Sequence, residues 1–284
     1  MRRGEIEINI DPEAFSLGPI TIHWYGIMVA LAVATLVVWV WYFTTRKGGI
    51  TTENVMAAAL WGIPMGLIVS RLVHVIDKYD YYIDNPREIF GFEGLTIFGA
   101  ILGGLLGAWI YCRLRRISLA PLVDLAAPGI ILAQAIGRVG CIINGCCCGE
   151  PTSLPWAVFY SHPASHASGC TLLGTLIHPT QMYELLGDLV IFALLFWVFR
   201  GRLKPSGSLL ALYLVLYSIL TFTVRFWRGD TETFAGPIQE GQLIAILVFV
   251  AATIWLVVKK VHWDKNEVEE DSGDAVASVI ERPE

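Results

Sequence analysis

The sequence predicts an all-α integral membrane protein of about seven transmembrane helices, with its N-terminus outside and its C-terminus in the cytoplasm. Three observations carry this reading. Hydrophobic residues make up 55% of the 284 and charged residues only 16%, with a mean hydropathy of +0.59, a balance foreign to water-soluble globules. Seven apolar runs approach the roughly 20 residues needed to cross ~30 Å of hydrocarbon. Lysine and arginine gather beyond alternate runs, as positive-inside topology requires.

In chain order the runs fall at about 22–43, 55–76, 95–112, 119–140, 181–199, 207–227 and 241–261. The first is read as a retained span rather than a cleaved signal. Some twenty residues with Glu5, Glu7, Asp11 and Glu13 precede it, and no small-x-small cleavage site follows. Arg46 and Lys47 follow run one, Arg113, Arg115 and Arg116 follow run three, Arg200, Arg202 and Lys204 follow run five, and Lys259, Lys260 and Lys265 follow run seven. These connections are assigned to the cytoplasm. The opposite connections, 77–94 and 141–178, are richer in Cys, Gly, His and mixed charge, so surface chemistry is expected toward the outer leaflet. Run three carries Gly99, Gly103, Gly104 and Gly107, a flat face for close helix packing. Residues 1–263 read as one transmembrane domain and 264–284 as an acidic, disordered cytoplasmic tail. The net charge of -5 leaves no basic footprint for nucleic acid.

Charges at bilayer depth cost roughly 2.5 to 3.5 kcal/mol each on insertion scales, so each needs a partner or a ligand. Arg71, Asp124, Arg138, Glu184 and Arg225 raise that demand, with Arg228 close behind. Gln134 and Arg138 share a helix face, and Gly137 and Gly140 leave room beside them for a headgroup or another backbone. Arg225 and Arg228 lie three apart, within reach of Asp230. A guanidinium meets a phosphate bidentately and keeps its charge at any pH, which makes a phospholipid headgroup the natural shared ligand. The run His178-Pro-Thr-Gln181-Met-Tyr-Glu184 opens the fifth helix, with Pro179 suited to its first turn. Glu184 reads first as the counter-ion of an arginine and second as a base.

Six cysteines remain. Cys112 ends run three on the inner side. Cys141, Cys146, Cys147, Cys148 and Cys170 fall on the outer side, where thiols oxidise. Their spacing lacks the paired two-residue intervals of a zinc knuckle, so no metal is expected, and a disulfide from Cys170 or Cys141 to the triplet is favoured. Spacing leaves open which sulfur pairs. No phosphate loop or dinucleotide fingerprint is present, and no cofactor is expected.

Gly137-Arg138-Val-Gly140-Cys141-Ile-Ile-Asn144-Gly145-Cys146-Cys147-Cys148-Gly149 resembles the signature of bacterial prolipoprotein diacylglyceryl transferases, G-R-x-G-N-F-x-N-G-E-x-x-G. His23-Trp24-Tyr25-Gly26, His178 to Glu184, Phe226-x-Arg228-Gly-Asp230 and Gly241-Gln242 are similar to further segments of that family in the same order. The resemblance reaches to about residue 261. It implies a multi-pass enzyme of the bacterial cytoplasmic membrane whose active site faces the outer leaflet. Such an enzyme moves the diacylglyceryl group of phosphatidylglycerol onto the lipobox cysteine of a prolipoprotein signal peptide, forming a thioether and releasing glycerol phosphate. Carried over, Arg138, Arg228 and Tyr25 are catalytic candidates. Asn144, Gly149, Gln181, Glu184 and His178 join the two arginines as substrate-binding candidates. The chain departs from the pattern at three positions: Cys141 and Cys146 replace the signature Asn and Glu, and Phe98 stands where the family places a histidine proposed as base. It therefore reads as a divergent member with a Cys-rich signature. The same charges would also suit a non-catalytic lipid or anion transporter, or a paralogue whose Cys cluster has a redox or metal role.

Overall fold

The computed structural model describes residues 6–18, 20–47, 51–77, 79–90, 97–230, 233–235 and 238–263. The acidic tail 264–284 and the side chain of Phe98 lie outside the described residues. A helix stands at each apolar run: α1 Trp24–Lys47, α2 Thr52–Asp77, α4 Ile97–Arg115, α5 Leu119–Asn144, α6 Thr180–Ala193, α7 Ser208–Val224 and α8 Glu240–Val258. A short α3, Tyr79–Asp84, follows α2, and a π-helical stretch, Leu194–Phe199, prolongs α6. Among the described residues, six helices are long and apolar enough to cross a membrane: α1, α2, α5, α6 with its extension, α7 and α8. Pro64 and Pro128 stand inside α2 and α5, where neighbouring helices can satisfy the backbone groups that proline frees. Outward-facing apolar side chains such as Leu60, Ile68, Leu186 and Val257 give these helices a surface suited to lipid.

Helices alone do not account for the connections. Short ladders pair β1 Ile6–Ile8 with β4 Val158–Tyr160 in parallel. Antiparallel ladders pair β2 Glu13–Leu17 with β3 Ile20–His23, β5 Leu203–Lys204 with β8 His262–Trp263, and β6 Thr233–Ala235 with β7 Ile238–Gln239. Pieces of two to five residues are too short to show an alternating pattern, so periodicity is silent on them.

The chain forms two compact units, Val37–Leu125 and the remainder, Met1–Leu36 with Ala126–Glu284. Within the first, α2 and α4 pack backbone to backbone. A Cβ at Gly107 would come 2.5 Å from the Trp61 carbonyl oxygen, and one at Gly103 would come 2.9 Å from Gly66 Cα. The glycine face of run three is thus a packing face. Arg71 is held in the same unit by the carbonyls of Glu88 and Ile89 and lies over the Tyr82 ring.

Within the second unit, Ala127 and Ile131 of α5 pack against Ile191, Leu195, Leu209 and Tyr213 from α6, its extension and α7. Segment 145–177 folds onto the N-terminal strand as a small head with a core of Ile8, Cys148, Val158, Tyr160, Ala167 and Ile177. A disulfide joins Cys148 to Cys170 in that core. This is the pairing that spacing alone left open.

Candidate active site

The last two turns of α5 carry Arg138, Cys141 and Asn144, and Gly140 allows α1 to reach them. A Cβ at Gly140 would stand 3.0 Å from Met28 Cβ and 3.3 Å from Tyr25 Cδ2, so any larger residue would push Tyr25 away. Tyr25 stays within electrostatic reach of Arg138, Cys141, Cys146 and Cys147. Gly137 has open space beside it.

Gly145 ends the helix in a left-handed conformation, φ 77°, which favours glycine. The chain then turns through Cys146 and Cys147, and side chains from the first turn of α6 fasten this loop. Gln181 Nε2 donates to the Cys146 carbonyl and Thr180 Oγ1 to the Cys147 carbonyl, each at 2.7 Å. At its far end Gly149 pairs with Arg228, Gly229 N donates to the Cys148 carbonyl at 3.0 Å, and Glu150 N donates to the Trp227 carbonyl at 2.8 Å. Any side chain on Gly149 would collide with the backbone of His178. The signature loop therefore bridges three stretches of chain and sets Arg228 opposite Arg138.

Between the arginines sits Glu184, 2% exposed. Arg138 Nη1 lies 2.7 Å from its Oε2, and Arg228 Nη1 lies 3.9 Å from its Oε1. Arg228 also makes a forked pair with Asp230, Nε to Oδ1 at 2.9 Å and Nη2 to Oδ2 at 2.7 Å. Burial alone would lower the Arg228 guanidinium, but the bond to Asp230 holds it above its ordinary range. The result is a part-buried pair of guanidinium groups, each paired with a carboxylate, a donor set that matches the oxygens of one anion.

The other expected residues divide. His178 lies beside the loop through its backbone, while its ring joins Tyr183 and Trp227 in an aromatic cluster, with Nδ1 3.4 Å from Tyr183 Oη. Trp156 from the head donates to the same hydroxyl at 2.8 Å. Gln181 is a loop fastener and Gln242 a helix cap, its Oε1 accepting from Gln239 N at 3.1 Å. Gly241 lies against the Arg225 guanidinium and leaves it room. Tyr213 donates to Gln134 Oε1 at 2.8 Å.

Sequence reasoning passed over Asp188, fully buried one turn beyond Glu184, whose oxygens lack a hydrogen-bond partner among the described residues. An Asp four places after Glu184 in an apolar run was the available signal. It also set aside a metal, yet the fold gathers the three free thiols of Cys141, Cys146 and Cys147 to within 4.8 Å of one another. Hydrogen bonds with Cys141 and Cys146, helped by Arg228 and Arg138, hold the Cys147 thiol below the usual thiol range despite burial. At Cys146 the bond with Cys141 pulls down, but the bond with Cys147 and burial prevail, pushing the thiol up to about 11.

A family model described as "Prolipoprotein diacylglyceryl transferase" matches residues 12–258. Among similar curated proteins, each named phosphatidylglycerol--prolipoprotein diacylglyceryl transferase, that of Dehalococcoides mccartyi is 42% identical over 263 residues, covering 92% of this chain and 99% of the relative. Those of Finegoldia magna and Clostridioides difficile are each 34% identical, over 247 and 249 residues, covering 86% of this chain and 94% of the relative.

Proposed function

The chain belongs to the prolipoprotein diacylglyceryl transferase family, and from that premise we propose that it moves the diacylglyceryl group of phosphatidylglycerol onto the lipobox cysteine of a prolipoprotein signal peptide. The acceptor sulfur forms a bond to the glyceryl carbon, the carbon–oxygen bond to phosphate breaks, and glycerol phosphate leaves with the electron pair. A thioether remains on the peptide. The observation that carries this reading is the convergence of Arg138 and Arg228, from distant stretches of chain, on the single carboxylate of Glu184.

Two consequences of that convergence lower the barrier. Guanidinium groups aimed at the lipid phosphate stabilise charge as it grows on the leaving group, an effect worth several kcal/mol in a water-poor site. The same positive potential favours the thiolate of the incoming peptide, whose free thiol has a pKa of about 8.5. Glu184 fixes the spacing of the arginines, Asn144, Gly149 and Gln181 fix the loop, His178 anchors it, and Tyr25 borders the reacting atoms. In this reading the site opens to the outer leaflet of the cytoplasmic membrane, and the head 145–177 receives the peptide.

The experiment supplies phosphatidylglycerol and a lipobox peptide to the full-length protein in detergent and follows peptide mass. A gain of one diacylglyceryl group is expected. Consumption of neither substrate, together with anion flux in proteoliposomes, would overturn the transferase reading.

A further inference from the structure

Three thiols meet where α5 gives way to the signature loop. Cys141 is in the last turn of the helix, and Cys146 and Cys147 follow the left-handed turn at Gly145. Their sulfurs all lie within 4.8 Å of one another. None of them is in a disulfide, and Cys170 engages the neighbouring Cys148 instead. Sulfurs bonded at about 2.3 Å to one tetrahedral zinc stand about 3.8 Å apart, so small rotations about the Cα–Cβ bonds would close this triangle on an ion.

The backbone is committed to the arrangement. Cys147 itself takes a left-handed conformation, φ 61°, which costs a non-glycine residue about 1 kcal/mol. Thr180 and Gln181 hold the carbonyls of Cys147 and Cys146 in place from α6. The surroundings also fit coordinating sulfur. Arg138 Nη1 lies 4.0 Å from Cys147 Sγ, within hydrogen-bonding reach of the sulfur. Such N–H groups stabilise thiolate ligands. Arg138 and Arg228 already carry carboxylate partners, so three thiolates here would otherwise be a poorly balanced buried charge. A divalent ion would reduce that excess from three negative charges to one.

We propose that Cys141, Cys146 and Cys147 form a three-thiolate site for a thiophilic divalent ion of the zinc class, and that its open fourth position takes the acceptor thiol. An all-sulfur donor set selects zinc over magnesium or calcium, and three protein ligands with a free position mark a reactive rather than a closed zinc site. The second half of the inference rests on the transferase reading above. On coordination the peptide S–H gives its proton to water. The metal-held sulfur then bonds to the glyceryl carbon as the carbon–oxygen bond to phosphate breaks, and glycerol phosphate departs with that electron pair. The product thioether is a weak ligand and dissociates.

The test reads metal before activity. Full-length protein, purified reduced and without chelator, is expected to hold about one zinc per chain. Cys141→Ser, Cys146→Ser and Cys147→Ser should each lose it, while Cys112→Ser keeps it. Because a serine variant can misfold, the unmodified protein is also stripped with a chelator and reloaded with cobalt, whose sulfur-to-metal absorption should appear. A lipobox peptide should shift the cobalt bands and its Cys→Ser counterpart should not. Absent metal and absent cobalt absorption would overturn the site, as would a native disulfide between any two of the three cysteines. Unshifted cobalt bands would overturn the role of the fourth position. Undiminished transfer by the metal-free protein would overturn the role of the ion while leaving the transferase reading intact. Absent transfer with metal bound would strike that reading, and with it the role of the fourth position, while leaving the metal site standing.

Discussion

Arg138 and Glu184 form a buried ion pair, Nη1 to Oε2 at 2.7 Å, with the carboxylate side chain 3% exposed. Removing one member of such a pair leaves the other charge without compensation in a low-dielectric interior, which costs about 3 to 5 kcal/mol. Glu184→Ala is therefore expected to lower the thermal unfolding midpoint of the detergent-solubilised protein sharply, with Glu184→Gln intermediate. Equal midpoints for all three forms would remove Glu184 from its place between the arginines.

The fork of Arg228 on Asp230 uses Nε and Nη2 together. A lysine keeps the charge and loses that geometry. With charged hydrogen bonds worth about 1.5 to 3 kcal/mol, Arg228→Lys should cut transfer on the order of tenfold to a hundredfold. Initial rates with saturating peptide provide the measurement, and a lysine enzyme of unchanged rate would mean that charge alone suffices there.

Glycine substitutions separate loop geometry from open space. Gly149→Ala places a methyl into the His178 backbone, and Gly145→Ala strains a residue at φ 77° that also faces Ser165 and Ala167. Both should destabilise the fold by more than about 1 kcal/mol. Gly137→Ala meets nothing within 4 Å and replaces a poor helix former, so its unfolding midpoint should hold or rise. Chemical or thermal unfolding of the three variants side by side would decide this.

Cys148 and Cys170 close a loop with a sequence separation of 22. In the chain-entropy account such a cross-link contributes about 3 kcal/mol. Cys170→Ser should loosen the head built on Ile8, Val158, Tyr160, Ala167 and Ile177 and expose segment 145–177 to limited proteolysis while the helices remain resistant. Unchanged cleavage would assign the head's stability to its apolar core.

The helices were legible because a bilayer imposes one length and one composition on every span: a helix stands at each of the seven apolar runs, and among the described residues six of these helices, α4 being the exception, are long and apolar enough to cross a membrane. The charges that need partners were legible for the same reason: Glu184 was readable as the counter-ion of an arginine, and the fold supplies Arg138. The pairing within the Cys run was not. Cys148 and Cys170 meet only because β1 from the N-terminus and β4 build a core between them, and neither strand is long enough to leave a pattern. Nor was the meeting of Cys141 with Cys146 and Cys147, which depends on a helix end and two left-handed residues, Gly145 and Cys147, that no spacing rule anticipates. Asp188 was readable as one more charge in an apolar run, but its surroundings, Arg138 of α5 and Tyr213 and Tyr217 of α7, come together only in the fold.

The central claim is that Arg138 and Arg228 together grip the phosphate of one glycerolipid. The most direct measurement is the initial rate of diacylglyceryl transfer from phosphatidylglycerol to a lipobox peptide in proteoliposomes, for the unmodified protein, Arg138→Ala and Arg228→Ala, each checked for retained folding. The account predicts that either substitution lowers the rate by on the order of a hundredfold or more, the scale of losing one stabilising group at the growing charge. Full transfer by folded Arg138→Ala protein would contradict it.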